Sequence, residues 1–234
     1  MKNYRFLLFD ADYTLLDFDK DMETTFTSTY SETGLDKIIP YTPDILATYE
    51  RFNNHWWACF ENGECTKEDI YFNRFRDFID FYNFSFDPAE LNTIYFKNLE
   101  QNGSAYPGAN ALIEKLQKIY EVYMVTNANA TSQPHRLRKA GFESLLPRCF
   151  VSEAIGFGKP DKRYFDHVFA NIPDFCKEDS IIIGDSLHSD ILGAVNAGID
   201  SIWYNPSNQS NPEQIAYTYK AENYEDILSI LGEL

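Results

Sequence analysis

No run of apolar residues in this sequence is long enough to cross a bilayer, which excludes an α-helical membrane span. Cysteine is scarce: Cys59, Cys65, Cys149 and Cys176 are scattered, with no CxxC spacing. A disulfide framework and a zinc site are disfavoured, and a reducing cytosol fits. Positive charge is also short, with 20 Lys and Arg against 36 Asp and Glu and a net charge of −16. Such a chain repels a phosphate backbone, so nucleic-acid polymers are not expected as partners. Small anions still bind wherever local cations and backbone N–H groups outweigh the global field. The first residues, Met1-Lys2-Asn3-Tyr4-Arg5, lead into a short apolar run that ends at an aspartate, too short and wrongly ended for a secretory signal. Internal repeats and low-complexity segments are lacking as well.

What is present is the material of a globular protein. Apolar residues make up 44% of the 234 residues, enough for a sizeable core in one large domain or in a core domain with an insert. Short apolar runs read as buried strands over 4–9, 122–125, 149–151, 181–183 and 201–204. Between them lie helical patterns. Residues 109–119 place Leu112, Ile113, Leu116 and Ile119 at helical spacing. A helix over 134–140 follows the N-cap candidates Thr131 and Ser132 and ends at Gly141. Another covers 162–170, and one over 189–197 ends at Gly198. This alternation predicts a Rossmann-like, doubly wound parallel sheet with helices on both faces. Residues 21–101 break the pattern. They carry helical runs, no convincing strand and many aromatics, and read as an all-helical insert after the first strand. The expected domains are therefore a core of 1–20 and 102–234 and a helical cap of 21–101.

Four stations at strand ends carry the chemistry, because parallel-sheet enzymes place ligands beyond the C-terminal ends of their strands. The first is Phe9-Asp10-Ala11-Asp12-Tyr13-Thr14. Two carboxylates two residues apart invite a divalent cation and divided roles, although by itself this is also how a solvated acidic turn looks. The second is Val125-Thr126-Asn127, whose hydroxyl and amide can donate to phosphate oxygens or simply end a strand. The third is Gly158-Lys159-Pro160, where a lysine can neutralise phosphate and the acidic cluster or stand on the surface. The fourth is Gly184-Asp185-Ser186 with Asp190 one turn further on. Here Asp185 stands where a metal ligand would meet Asp10, and Asp190 is placed to pair with Lys159 or to order a metal's waters. Each signal is modest alone; all four at strand ends, in this order, are specific.

These residues resemble the haloacid dehalogenase superfamily. That family is marked by an aspartate nucleophile in a DxDxT-type first motif, a Ser/Thr second motif, a Lys third motif and an acidic fourth motif. Here those are Asp10-Ala11-Asp12-Tyr13-Thr14, Thr126, Lys159, and Asp185 with Asp190. The first motif with its continuation Asp17-Phe18-Asp19 is similar to the 5′-nucleotidase branch, and the insert matches the helical cap of the family. The resemblance implies a Mg²⁺-dependent phosphatase of small phosphate monoesters, nucleoside 5′-monophosphates foremost. It implies Asp10 as nucleophile, Asp12 as general acid/base, and Thr126, Asn127 (through its backbone) and Lys159 as phosphate-binding groups. Mg²⁺ is implied on Asp10, the Asp12 carbonyl and Asp185, with Asp190 in support.

Alternatives stay open. A dehalogenase needs no acid two positions after its nucleophile, so Asp12 argues against one. A phosphonatase would need a cap lysine, for which Lys67 and Lys97 are available. A phosphomutase differs mainly in its cap, and a non-catalytic binding protein would be expected to have a broken station. In the cap, His55, Trp56, Trp57 and Phe60 are expected to pack as core before they stack a base. Tyr13 and Phe18 are expected at the entrance, His135 and His188 at the rim, and Asp17, Asp19 and Asp21 on a solvated edge. The expected partners are a phosphorylated small molecule, with neither nucleic acid nor membrane, for a cytoplasmic monomer or homodimer.

Overall fold

The computed structural model describes residues 2–233. The chain divides into two compact units, one of Met1–Phe18 and Ser104–Leu234, the other of Asp19–Gly103.

β1 (Phe6–Phe9) is fully buried. The chain then enters α1 (Phe18–Glu32), α2 (Pro43–Glu61), α3 (Lys67–Tyr82) and α4 (Pro88–Leu99). Within Asp19–Gly103 no strand occurs among the described residues. Local chemistry sets these helix starts. Thr66 and Asp69 form a reciprocal capping box at α3, and Asp87 caps α4 ahead of Pro88 in the first turn. The core of this unit is aromatic: Phe26, Tyr30, Tyr49, Phe75, Phe78 and Tyr95 are all buried. The sequence-based expectation for His55, Trp56, Trp57 and Phe60 needs correction, since none of the four is buried. Trp56 instead donates Nε1–H to Asp77 at 2.8 Å. Asp21 is also corrected: it is 1% exposed rather than solvated.

The other unit continues with α5 (Ala109–Leu116), β2 (Glu121–Thr126), α6 (Ser132–Lys139), β3 (Cys149–Val151), α7 (Ser152–Ile155), α8 (Lys162–Ala170) and β4 (Ser180–Gly184). It ends with α9 (Leu192–Ala197), β5 (Asp200–Tyr204), β6 (Tyr219–Ala221) and α10 (Tyr224–Leu231). The sheet is parallel throughout, in the order β3-β2-β1-β4-β5-β6. This is the doubly wound α/β architecture expected. β6, a short edge strand with Lys220 at its centre, was absent from the sequence reading because it shows no apolar run. The buried strands pack on both faces, Leu7, Phe9, Val122 and Met124 into one cluster and Phe6, Leu8 and Val125 into the other. Strand order reverses between β1 and β4. Doubly wound sheets bind ligands at such a switch point, beyond the carboxyl ends of the strands.

Two helix starts differ from expectation. Thr131 does not cap α6; Asn129 Oδ1 accepts from the N–H groups of Thr131 and Ser132, both at 3.0 Å. The helix expected over 189–197 begins as a wide π turn, Leu187–Ile191, before α9. Ser186 opens it, its hydroxyl accepting from the Ser189 N–H at 3.1 Å.

Candidate active site

Asp10 is the residue at which β1 leaves the sheet. Its N–H still donates to the Ile183 carbonyl of β4 at 2.9 Å, so its position is fixed by the ladder. The chain then folds into a tight loop. Leu15 and Leu16 N–H both donate to the Ala11 carbonyl, and Tyr13 takes a left-handed φ of 64°. A non-glycine residue there is strained and persists only where its surroundings hold it. The loop returns Thr14 beneath Asp10, and the Thr14 hydroxyl lies 3.1 Å from Asp185 Oδ1 and 3.4 Å from Asp10 Oδ2. Tyr224 on α10 holds the loop from outside, its hydroxyl donating to the Thr14 carbonyl at 2.8 Å.

Lys159 reaches the same point from the loop before α8. It is 2% exposed, and its ammonium is fully engaged: by Asp10 Oδ1, by Asp190 Oδ1 at 2.7 Å and by the Val125 carbonyl at 3.0 Å. Burial works to lower its pKa, but the two aspartates outweigh that and hold it well above the usual lysine value. The Asn127 side chain secures this loop. It accepts from the Lys159 N–H and donates to the Lys159 carbonyl, both at 2.9 Å. The residues alone suggest the Asn127 amide as a phosphate donor, and the resemblance implies its backbone; in the structure both polar atoms of the side chain are spent on Lys159, joining the second and third stations. Thr126, at the end of β2, is buried, and its hydroxyl oxygen accepts from the Ala128 N–H at 3.2 Å.

Asp190 has no exposure and uses both oxygens, one on Lys159 and one accepting from the Ser186 N–H at 3.1 Å. Its carboxyl fills the space beside Gly184, where an added Cβ would stand 2.3 Å from Asp190 Cγ. Gly184→Ala is therefore expected to displace Asp190 from Lys159 and to cost about 1–3 kcal/mol by overpacking, measured by urea unfolding. Asp185 follows directly, its carbonyl accepting from Trp203 Nε1–H at 3.0 Å.

Oxygens of Asp10, Asp185 and Asp190 all lie within 4.8 Å of one another. Among the described residues this is an all-carboxylate set with neither histidine nor cysteine, which suits a hard divalent cation such as Mg²⁺ and not zinc. Because Asp190 is fully engaged, Asp10 and Asp185 are the carboxylates that can face an ion. Three carboxylates, Asp10 and Asp190 buried and Asp185 half-buried, against one lysine leave excess negative charge. Burial first, then the neighbouring aspartates, push Asp185 well above the usual carboxylate range. Burial pushes Asp10 up to about 8 against the pull of Lys159. A cation relieves both. Stability that rests on a raised carboxyl is fully present below the ordinary pKa near 4 and is lost as pH rises through about 8. The metal-free protein should thus lose thermal stability across that window. Added Mg²⁺ should raise the melting temperature more at pH 8 than at pH 5, in differential scanning calorimetry.

One residue of this site escaped the sequence reading. Arg136 of α6 is 1% exposed, and its Nη1 lies 2.7 Å from Asp12 Oδ1. The remaining expectations sort simply. Lys97 pairs with Glu32 at 2.9 Å, and Lys67 lies over the Phe60 ring at 5.9 Å. His135 is exposed, and His188 stands 3.5 Å from Glu213. Tyr13 and Phe18 meet edge to face at 5.6 Å. No helix among the described residues is long and apolar enough to cross a membrane.

The lysine station is corrected, since Lys159 lies not at a strand end but in the loop between α7 and α8. A parallel doubly wound sheet with an aspartate, a threonine and an acidic pair beyond its strand ends, and a lysine brought to them by that loop, defines a class. The chain belongs to the haloacid dehalogenase-like hydrolases, whose family model matches residues 4–198. It is 38% identical to the HAD-hydrolase YfnB of Bacillus subtilis, over 99% of this chain and 97% of that protein. The magnesium-bound crystal structure of YfnB superposes with a TM-score of 0.91, covering 98% of this chain and 99% of that one. The pyrimidine 5′-nucleotidase PynA of Streptococcus pneumoniae is 34% identical over 98% of this chain and 96% of its own. The pyrimidine 5′-nucleotidase YjjG of Escherichia coli is 27% identical over 96% of each.

Proposed function

We propose that this chain is a Mg²⁺-dependent phosphatase of small phosphate monoesters, nucleoside 5′-monophosphates foremost, acting through an aspartyl-phosphate on Asp10. The observation that supports this most is the buried Asp10 carboxylate at the switch point, flanked by Lys159 and Asp185 with Asp12 two residues on. Two relatives named as pyrimidine 5′-nucleotidases, each aligned over nearly the whole chain, support the substrate class.

In the first step an Asp10 oxygen forms a bond to phosphorus and the ester P–O bond breaks. The electron pair leaves with the alkoxide, which takes the proton of Asp12. In the second step Asp12, now a carboxylate, takes a proton from water. The water oxygen attacks phosphorus, the Asp10–P bond breaks, and phosphate and the free carboxylate result. Lys159 sets positive charge beside Asp10, while the Thr126 hydroxyl and the Asn127 backbone N–H hold the transferring oxygens. Asp10, Asp185 and the Asp12 carbonyl would hold Mg²⁺, which supplies charge neutralisation at the phosphoryl oxygens. The four cysteines are free thiols, consistent with the reading of a cytoplasmic enzyme.

Phosphate release across nucleoside monophosphates, sugar phosphates and phosphonates, with Mg²⁺ and with EDTA, tests this reading. The expected outcome is Mg²⁺-dependent release that favours pyrimidine nucleotides. Equal rates on sugar phosphates would remove the nucleotide assignment, and undiminished activity in EDTA would remove the metal.

A further inference from the structure

Asp12 has a neighbour that the two steps above leave unused. Asp12 Oδ1 is sealed from solvent and makes no hydrogen bond among the described residues. The charge set against it is the Arg136 guanidinium, 2.7 Å away. The Asp12 side chain is nonetheless 23% exposed, so its open side lies away from Oδ1. Arg136 is braced in turn. Its Nη1 donates to Gln133 Oε1 at 2.9 Å, Gln133 itself has no exposure, and the guanidinium lies over the Phe18 ring, 5.0 Å from its centroid. A cation this enclosed is kept only where it meets an acceptor or an opposite charge.

We propose that Arg136 is a positioning residue for Asp12. It holds the inner carboxylate oxygen, so that the outer oxygen faces the leaving group. The inference rests on the reading of Asp12 as general acid. A guanidinium only donates. Oδ1 must therefore stay an acceptor, and a proton delivered by Asp12 sits on Oδ2. When the ester P–O bond breaks, that proton joins the leaving oxygen and Asp12 is left as a carboxylate against Arg136. The residue does not touch the reacting atoms; it fixes the rotation of the group that does.

The test uses leaving groups that differ in their need for a proton. para-Nitrophenolate leaves as a stable anion, whereas an alkoxide leaves only when protonated. kcat/KM is the right measure, because it ends at formation of the aspartyl-phosphate and excludes the later role of Asp12 as base. Arg136→Met should lower kcat/KM for nucleotides and simple alkyl phosphates on the order of 10²-fold, the cost of a misplaced catalytic group. para-Nitrophenyl phosphate should lose less than about tenfold, since it has little need of the acid. Arg136→Lys keeps the charge without the planar fork and should show the same gradation at smaller size. If Arg136→Met fails to fold, the lysine variant decides by the same comparison. Loss that is equal for alkyl and aryl substrates, or no loss, overturns the proposal. Asp12→Asn is measured alongside. If that variant is itself flat across the series, Asp12 is not the acid and the underlying reading fails; if it is graded while the Arg136 variants are flat, only the role of Arg136 fails.

Discussion

Asp10→Asn is expected to lower phosphate release by on the order of 10⁴–10⁶-fold while leaving the fold intact. The scale is that of removing a nucleophile from a site whose other groups remain. The amide is nearly isosteric with the carboxylate and has no charged oxygen with which to attack phosphorus. The structural cost is small for a reason specific to this site. Asp10 is a buried acid held far above its usual pKa, so a neutral side chain relieves repulsion from Asp185 and Asp190. Lys159 retains Asp190 and the Val125 carbonyl. Activity should therefore vanish while far-UV circular dichroism and the metal-free melting temperature are preserved or improved. Turnover retained at more than a few per cent would show that the nucleophile lies elsewhere.

Lys159→Met should behave differently, removing activity and stability together. The lysine is the cation between two buried carboxylates, and breaking such a pair leaves charge uncompensated at about 3–5 kcal/mol. Its loss also removes positive charge beside the transferring phosphoryl group, worth about 10²–10³ in kcat for one such donor. The two effects are separable. Lys159→Met with Asp190→Asn removes one of the stranded charges and should recover part of the stability, with a coupling of about 0.5–3 kcal/mol between the substitutions, yet should restore no activity. Urea unfolding and phosphate release on the same samples read both. A lysine variant of unchanged stability would mean that the ion pairs are neutral in effect.

Much of this arrangement was legible in the sequence because a few residues announce it. β1 and β4 are short, uninterrupted apolar runs that end in Asp10 and at Gly184-Asp185. A parallel sheet puts its carboxyl ends along one edge, which is why Asp10 and Asp185 were expected to meet. Lys159 arrives from the loop between α7 and α8, and its pairing with Asp190 was one of two readings that the sequence left for that aspartate. What the sequence hid lies in side-chain direction. α6 carries Arg136, Arg138 and Lys139 in its last turn, and only Arg136 is buried. The clue is that Gln133, Arg136 and Leu137 share one helical face, but three neighbouring basic residues read as a solvated end. Asn127 was a named candidate, but its hold on the Lys159 loop was hidden for a similar reason, since spacing does not reveal that an amide will close on a backbone 32 residues later. Aromatic content indicated a ring-filled helical unit without saying which rings would be inside. Tyr49 and Phe75 were interchangeable on paper with Trp56 and Trp57.

The central claim is that phosphorus becomes bonded to Asp10. It is tested most directly in the Asp12→Asn variant, where loss of the base should make the intermediate accumulate, with para-nitrophenyl phosphate, whose leaving group needs no acid. After a single turnover, acid quench and peptide mass mapping, the account predicts a burst of nitrophenolate matched by one phosphoryl group on the peptide that contains Asp10. A phosphoryl group on any other residue, or a burst matched by free phosphate with no covalent enzyme, would contradict it.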